Sequence, residues 1–260
     1  MAKTALITGA SGGIGLDFAK KFAENGYDLV LVARSEGKLQ EIAKELEGKH
    51  KIKVTVLAKD LSKAEAVEEV YQATKTAGMA VDVLVNNAGF ATYGFFHELS
   101  KAKELEMIDL NVRALVHLSH LYLPDMLARK NGKILNVAST ASFQPGPLMA
   151  DYYASKAYVL HFSEALANEV KGTGVSVTAL CPGPTISGFQ ERAAMTDSKL
   201  VQSGLMDSRK VVDIGYNALI SGKSFVIPGF RNQMLAFATR FLPRNMVTNT
   251  VRRTQDRVSH

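Results

Sequence analysis

Short, nearly uncharged apolar runs alternate with longer segments whose apolar residues recur at helical spacing, and this continues to about residue 229. The runs are Ala5–Ile7, Asp28–Ala33, Val54–Ala58, Val81–Val85, Ile134–Ala138, Val175–Cys181 and Ser224–Ile227. Between them lie amphipathic stretches: one ending near Phe22, one carrying Leu39, Ile42 and Leu46, one over Ala64–Thr76, and a long one from about Lys101 to Ala128. A strand apolar along its whole length must be covered on both faces, which a parallel sheet between helices provides. The pattern therefore predicts an α/β, doubly wound parallel sheet. Residues 1–229 read as one domain, and 230–260 as a basic amphipathic extension docked on it or on its oligomer.

Length and charge narrow the choice further. A chain of 260 residues suits one domain, which buries about three quarters of its extended surface. The single cysteine, Cys181, excludes an intramolecular disulfide. The first strand starts almost at once, leaving no room for a signal peptide, and no apolar run nears the ~20 residues that span a bilayer. The cytoplasm is the expected location. Net charge is +6, and six arginines beyond Gly229 against the one acid Asp256 account for +5 of it. The body is close to neutral, which argues against a nucleic-acid surface.

The first turn, Thr8-Gly9-Ala10-Ser11-Gly12-Gly13-Ile14-Gly15, follows a strand and opens a helix. Small residues let a backbone approach a pyrophosphate, and a helix amino end supplies free N–H donors. Gly9, Ser11, Gly13, Ile14 and Gly15 are candidate cofactor contacts; the alternative is a tight turn with no ligand. At the second strand's end, Arg34 suits a 2′-phosphate where a carboxylate would suit a free ribose. It is otherwise a solvated arginine. The third and fourth strands end in Asp60-Leu61 and in Asn87-Ala88-Gly89, at the carboxyl edge where open α/β sheets bind ligands. Asp60 also suits an N-cap.

Tyr152 and Lys156 stand four apart, on one helix face. A free phenol, with a pKa near ~10, is a poor acid at neutral pH; an adjacent ammonium favours its ionised form. Lys156 is therefore expected to lower the pKa of Tyr152. Tyr153 is out of phase and points elsewhere. Ser139 follows the fifth strand, at its carboxyl end.

Taken together, these residues resemble the short-chain dehydrogenase/reductase family over roughly residues 3 to 229. The resemblance implies a Rossmann-like fold of seven strands in the order 3-2-1-4-5-6-7. It also implies a nicotinamide cofactor, NADP(H) before NAD(H) on the strength of Arg34. Ser139, Tyr152 and Lys156 match the family's catalytic serine, tyrosine and lysine, and Asn111 its catalytic asparagine. Pro182, Gly183 and Thr185 match the turn at the nicotinamide. The implied roles are proton donation by Tyr152, positioning of the carbonyl by Ser139, ribose contact by Lys156, and a water held by Asn111. Gly12 departs from the pattern, because many NADP-preferring relatives carry arginine or lysine there.

The resulting expectation is an NADPH-dependent reductase of an apolar ketone. The alternatives are an NAD(H)-linked alcohol or hydroxysteroid-type dehydrogenase and a non-catalytic nicotinamide-binding regulator. A homodimer or homotetramer through the long fourth helix and the Tyr152 helix is expected. Phe95, Phe96, Phe143 and Met149 are candidates for an apolar pocket, and Ile186–Leu205 for a substrate lid. His117 and His120 lack a third metal ligand, so no metal is expected. The tail's apolar stripe, from Met234 to Val251, is expected to dock on the body, with a membrane interface as the alternative.

Overall fold

The structure, a computed structural model, describes residues 2–193, 195, 198–199 and 204–257, without the Arg192 side chain. The strands are β1 (Thr4–Thr8), β2 (Asp28–Ala33), β3 (Val54–Ala58), β4 (Val81–Asn86), β5 (Gly132–Val137), β6 (Val175–Leu180) and β7 (Phe225–Val226). They form one sheet in the order β3-β2-β1-β4-β5-β6-β7, every pair parallel. The crossovers carry helices α1 (Gly13–Glu24), α2 (Glu36–His50), α3 (Ala64–Thr76), α4 (Lys101–Ile108), α5 (Ala114–Ala128), α6 (Ala150–Glu169), α7 (Phe189–Arg192) and α8 (Ser208–Ile220). After β7 come α9 (Phe230–Ala238) and α10 (Arg244–Gln255).

Each strand feeds two cores because its side chains alternate across the sheet. Ala5, Ile7, Leu29 and Leu31 pack with Phe18 and Phe22 of α1 and with Val211 and Val212 of α8. Their neighbours Leu6, Val30 and Val32 face Val67 and Val70 of α3 and Leu118 and Met126 of α5. A buried polar chain also crosses the sheet. Asn86 Nδ2 donates to Asn136 Oδ1 at 2.9 Å and to Ser119 Oγ at 3.2 Å, and Asn136 Nδ2 donates to Ser163 Oγ at 2.9 Å. It links β4 and β5 to α5 and α6, so it sets where α6 lies.

Two elements differ from the sequence expectation. The long helix from Lys101 to Ala128 is broken by a π-turn at Asp109–Arg113, between α4 and α5. Asn111 sits in that turn, with its side chain bonded to the Phe90 backbone, and such bulges gather at functional positions. The tail docks only in part. Ala236, Val247 and Gln255 are buried, whereas Met234, Leu235, Phe237, Phe241, Leu242 and Met246 are exposed. The reason is that α9 meets the body through Ala236 and through Asn232 and Gln233, whose amides donate to Pro228 and Ile227 carbonyls.

The lid segment leaves and rejoins the body at a bridge between Thr185 and Met206. Of Ile186–Leu205, residues 194, 196–197 and 200–203 lie outside the described residues, as do Met1 and 258–260.

Asn136→Ala should lower stability by about 1–3 kcal/mol, because it takes the acceptor of Asn86 and the donor to Ser163 from a dry site. Urea unfolding checks this; a change below ~0.5 kcal/mol would show the chain to be ornamental.

Candidate active site

Strand order reverses between β1 and β4, and the loops leaving their carboxyl ends diverge there. A cavity of about 630 Å³ opens at that edge. Its wall contains Gly9, Ser11, Gly13, Ile14, Arg34, Asp60, Leu61, Asn87, Ala88, Gly89, Ser139, Tyr152, Lys156, Pro182, Gly183 and Thr185. Of the residues expected from sequence, Gly15 and Asn111 lie behind the wall.

The turn after β1 is held from below. Thr8 Oγ1 donates to Val85 O and accepts the N–H groups of Asn87 and Ala88 at 2.9 and 3.0 Å. Asn87 Nδ2 donates to Thr8 O at 2.9 Å. Gly9 has φ 67°, and a β-carbon there would stand 2.8 Å from Asn87 Nδ2. At Gly15 a β-carbon would meet Gly9 O at 2.3 Å, so this glycine serves the close packing of turn on helix. Gly12 and Gly13 line the cavity at the amino end of α1, which fits a pyrophosphate, and Ser187 packs closely over Gly13, where a β-carbon would stand 2.8 Å from its carbonyl oxygen.

Basic side chains gather at the β2 end. Arg34 is exposed and faces Glu106 at 3.6 Å. Lys38, four residues on in α2, also lines the cavity, and its Nζ lies 4.0 Å from where a Gly12 β-carbon would stand. Gly12 itself carries no cation, and the structure brings one to that spot from α2. No local pattern signalled Lys38, because Arg34 lies ahead of α2 and the two share no helix face. Asp60 lines the cavity, but it does not cap α3, whose N-cap falls on Lys63; its Oδ1 instead accepts the Ser62 N–H at 3.1 Å in the turn ahead of that helix.

At the other end, Ser139 and Tyr152 both line the cavity, and Ser139 Oγ donates to Pro182 O at 3.4 Å. Ser139 Oγ also accepts the Ala141 N–H at 3.1 Å, which fixes the hydroxyl at the carboxyl end of β5. Lys156 is buried and donates to Val137 O at 2.7 Å. Its Nζ lies 5.9 Å from the Tyr152 ring centroid. Asn111 Oδ1 accepts the Phe90 N–H at 3.1 Å, and its Nδ2 donates to Phe90 O and Ser155 Oγ. The oxygen stands 2.8 Å, and Lys156 Nζ 3.7 Å, from the position a Gly89 β-carbon would take. Only glycine leaves the space between them free.

The electrostatics depart from expectation. Burial raises the Tyr152 pKa, and the nearby Ser139 hydroxyl is what pulls it down; Lys156 does not. The lysine's charge is directed at the Val137 carbonyl, and burial itself holds Lys156 down to about 8. Burial pushes Cys181 up to about 12, so it is a neutral packing residue.

Sequence reasoning missed part of the wall. Tyr153 leaves the Tyr152 face as expected but stays in the cavity, where its hydroxyl accepts a bond from Gln255 Nε2 of α10. Val247, Val251 and Thr254 join it from the same helix. The apolar periodicity of the tail was their signal. Met149 lines the cavity, but Phe143 packs in the core near Leu115 and Ala138. Phe95 and Phe96 are exposed outside it, and Phe95 lies under the Arg252 guanidinium. His117 pairs with Glu68, and no metal-binding group of three exists among the described residues.

Residues 3–197 match the sequence profile of the short chain dehydrogenases. The very-long-chain 3-oxoacyl-CoA reductase-A of Danio rerio is 33% identical over 187 residues, 70% of this chain and 58% of that protein. The inactive hydroxysteroid dehydrogenase-like protein 1 of Homo sapiens is 36% identical over 68% of this chain and 54% of its own length. This chain thus spans a little over half the length of these curated relatives. A short-chain dehydrogenase from Sphingobium yanoikuyae, solved in complex with NADPH, superposes with a TM-score of 0.83 at 31% identity, over 92% of this chain and 94% of that one. The chain belongs to the short-chain dehydrogenase family of oxidoreductases.

Lys156 offers a direct test of the dry site. Its pKa in the folded chain is about 8 against an ordinary 10.5, so between those values the unfolded chain binds more protons. Stability should therefore rise with pH from about 8 to about 10.5, and the burial penalty is fully present below 8. Lys156→Met should flatten that slope in urea unfolding. An unchanged slope would place the effect on another group.

Proposed function

We propose that the chain is an NADP(H)-dependent reductase of an apolar ketone. The observation that carries this is the convergence of Ser139, Tyr152 and buried Lys156 on one cavity whose far end has a glycine turn flanked by Arg34 and Lys38. The Sphingobium neighbour's NADPH supports the cofactor. The Danio relative's name supports a carbonyl substrate of fatty character. Bound NADPH supplies the hydride that goes to the carbonyl carbon. Tyr152 gives its proton to the oxygen as charge develops there, and the Ser139 hydroxyl donates to the same oxygen and positions it. Lys156, poised near 8, then restores the tyrosine's proton through the space beside Gly89 and Asn111.

Met149, Phe189, Met195, Val247 and Val251 give the substrate end an apolar lining, which favours a hydrocarbon-bearing ketone. The inactive human relative keeps a non-catalytic binder in view, but this chain retains Asn111, Ser139, Tyr152 and Lys156 together. We place the contact of a homodimer or homotetramer on α4 and α6, where Leu105, Ile108 and Tyr158 are exposed. Domain limits at 229 and a cytoplasmic site stay part of the proposal. Among the described residues no helix is long and apolar enough to cross a membrane.

Tyr152→Phe should abolish turnover of a ketone panel, followed by nicotinamide absorbance, while NADPH binding measured by fluorescence stays within about twofold. Retained activity in this variant, with loss in Tyr153→Phe, would move the proton donor to Tyr153. Arg34→Ala and Lys38→Ala should each weaken NADPH by roughly ten- to a hundredfold, as expected for a charge-assisted phosphate contact, and leave NADH nearly unchanged. Equal losses for both cofactors would sink the assignment.

A further inference from the structure

We propose that helix α9 is a docking surface for an anionic lipid membrane. Phe230, Met234 and Phe237 recur at i, i+4 and i+7, so they share one face of α9. Phe241 follows in the turn beyond and packs edge to face on Phe237, with ring centroids 5.0 Å apart. These four side chains are 77%, 51%, 54% and 72% exposed. Only Ala236 of α9 is buried, so the helix is seated by its narrow side and presents its bulky one to solvent. An aromatic stripe this exposed marks an interaction surface.

Charge identifies the occupant. Arg231 stands about a right angle from the stripe by helical spacing, Arg240 follows in the turn after α9, and Arg244 opens α10 just beyond. The only acid from Phe230 to the last described residue, Asp256, is paired with Arg252. Arg231, Arg240 and Arg244 therefore have no ion pair among the described residues. A second copy using the same face would set these arginines against their own kind with no carboxylate between. An apolar face bordered by arginine suits instead an interface in which aromatic rings enter the acyl region and guanidinium groups meet phosphate.

The surface also leads somewhere. Leu235 and Leu242 are 59% and 43% exposed and line the cavity, so the patch is continuous with the cavity wall. A protein resting on α9 would open its substrate end at the lipid, where an apolar ketone partitions. That last step rests on the proposed substrate class; the docking itself does not.

The test uses the full chain and phosphatidylcholine vesicles with or without about one third phosphatidylglycerol. Co-sedimentation should be at least tenfold stronger with the anionic vesicles and should fall as salt rises. Replacing Phe230→Ser, Phe237→Ser and Phe241→Ser together should abolish it, with thermal unfolding and turnover of a water-soluble ketone unchanged. Arg231→Glu with Arg240→Glu should remove the preference for anionic lipid. Because binding is read without turnover, an inactive but vesicle-bound chain would refute the reductase reading and leave this one standing. Absence of binding to anionic vesicles, binding indifferent to the serine variants, or a dimer in light scattering that those variants dissolve would each overturn the proposal.

Discussion

The site depends on how helix α6 is fixed to the carboxyl end of β5. Four contacts do this, and they run in both directions. Lys156 Nζ reaches Val137 O, Ser142 Oγ donates to Lys156 O, Asn136 holds Ser163, and Ser139 meets Tyr152. Each uses a polar group that would be costly to bury alone. Helix and strand end are thereby bound in one register, since a slip of one residue would leave several of these groups without partners. The arrangement proposed for catalysis is thus also a structural one, and its groups are held before any substrate enters.

The sheet was legible because parallel strands must be apolar throughout, and the runs at Val30, Leu84 and Ile134 have no other economical use. The glycine turn was legible for a similar reason: Gly9 and Gly15 occupy positions where a β-carbon has no room. The π-turn at Asn111 was not. Its Asn111 side chain bonds to the Phe90 backbone, twenty-one residues back in the chain, and no local pattern encodes that partner. Lys38 escaped for the same reason, since its nearness to Gly12 arises only when α2 folds back beside the first turn. The pKa of Tyr152 was misjudged because sequence gives the separation of two side chains and not the water between them. Burial dominates once the cavity closes, and the ammonium has a nearer partner in Val137.

The tail shows how an amphipathic pattern can be read correctly and still leave its use open. A stripe of Phe, Met and Leu says that one face avoids water, but it does not say which surface covers that face. Here α10 uses Val247 and Gln255 to close the cavity over Tyr153, while α9 turns its stripe outward. The two helices differ in what lies opposite them. Beneath α10 there is a phenol that needs a partner; beneath α9 there is mostly backbone, satisfied by Asn232 and Gln233.

The same contrast between exposed and buried charge bears on how a phosphate would be chosen at the β2 end. Arg34 already has a carboxylate partner in Glu106, and a competitor must displace it. That pair is 3.6 Å apart with the arginine 69% exposed, a setting in which ion pairs contribute about 0–1 kcal/mol. A phosphate offers charge-assisted bonds worth about 1.5–3 kcal/mol and can engage Lys38 at the same time. Releasing Glu106 therefore costs less than the phosphate returns. A ribose hydroxyl, which is neutral, offers no such margin, so the Glu106 pair would hold Arg34 back from an unphosphorylated cofactor. On this argument Glu106 would sharpen the choice proposed for Arg34, by adding a small cost that only a dianion overcomes.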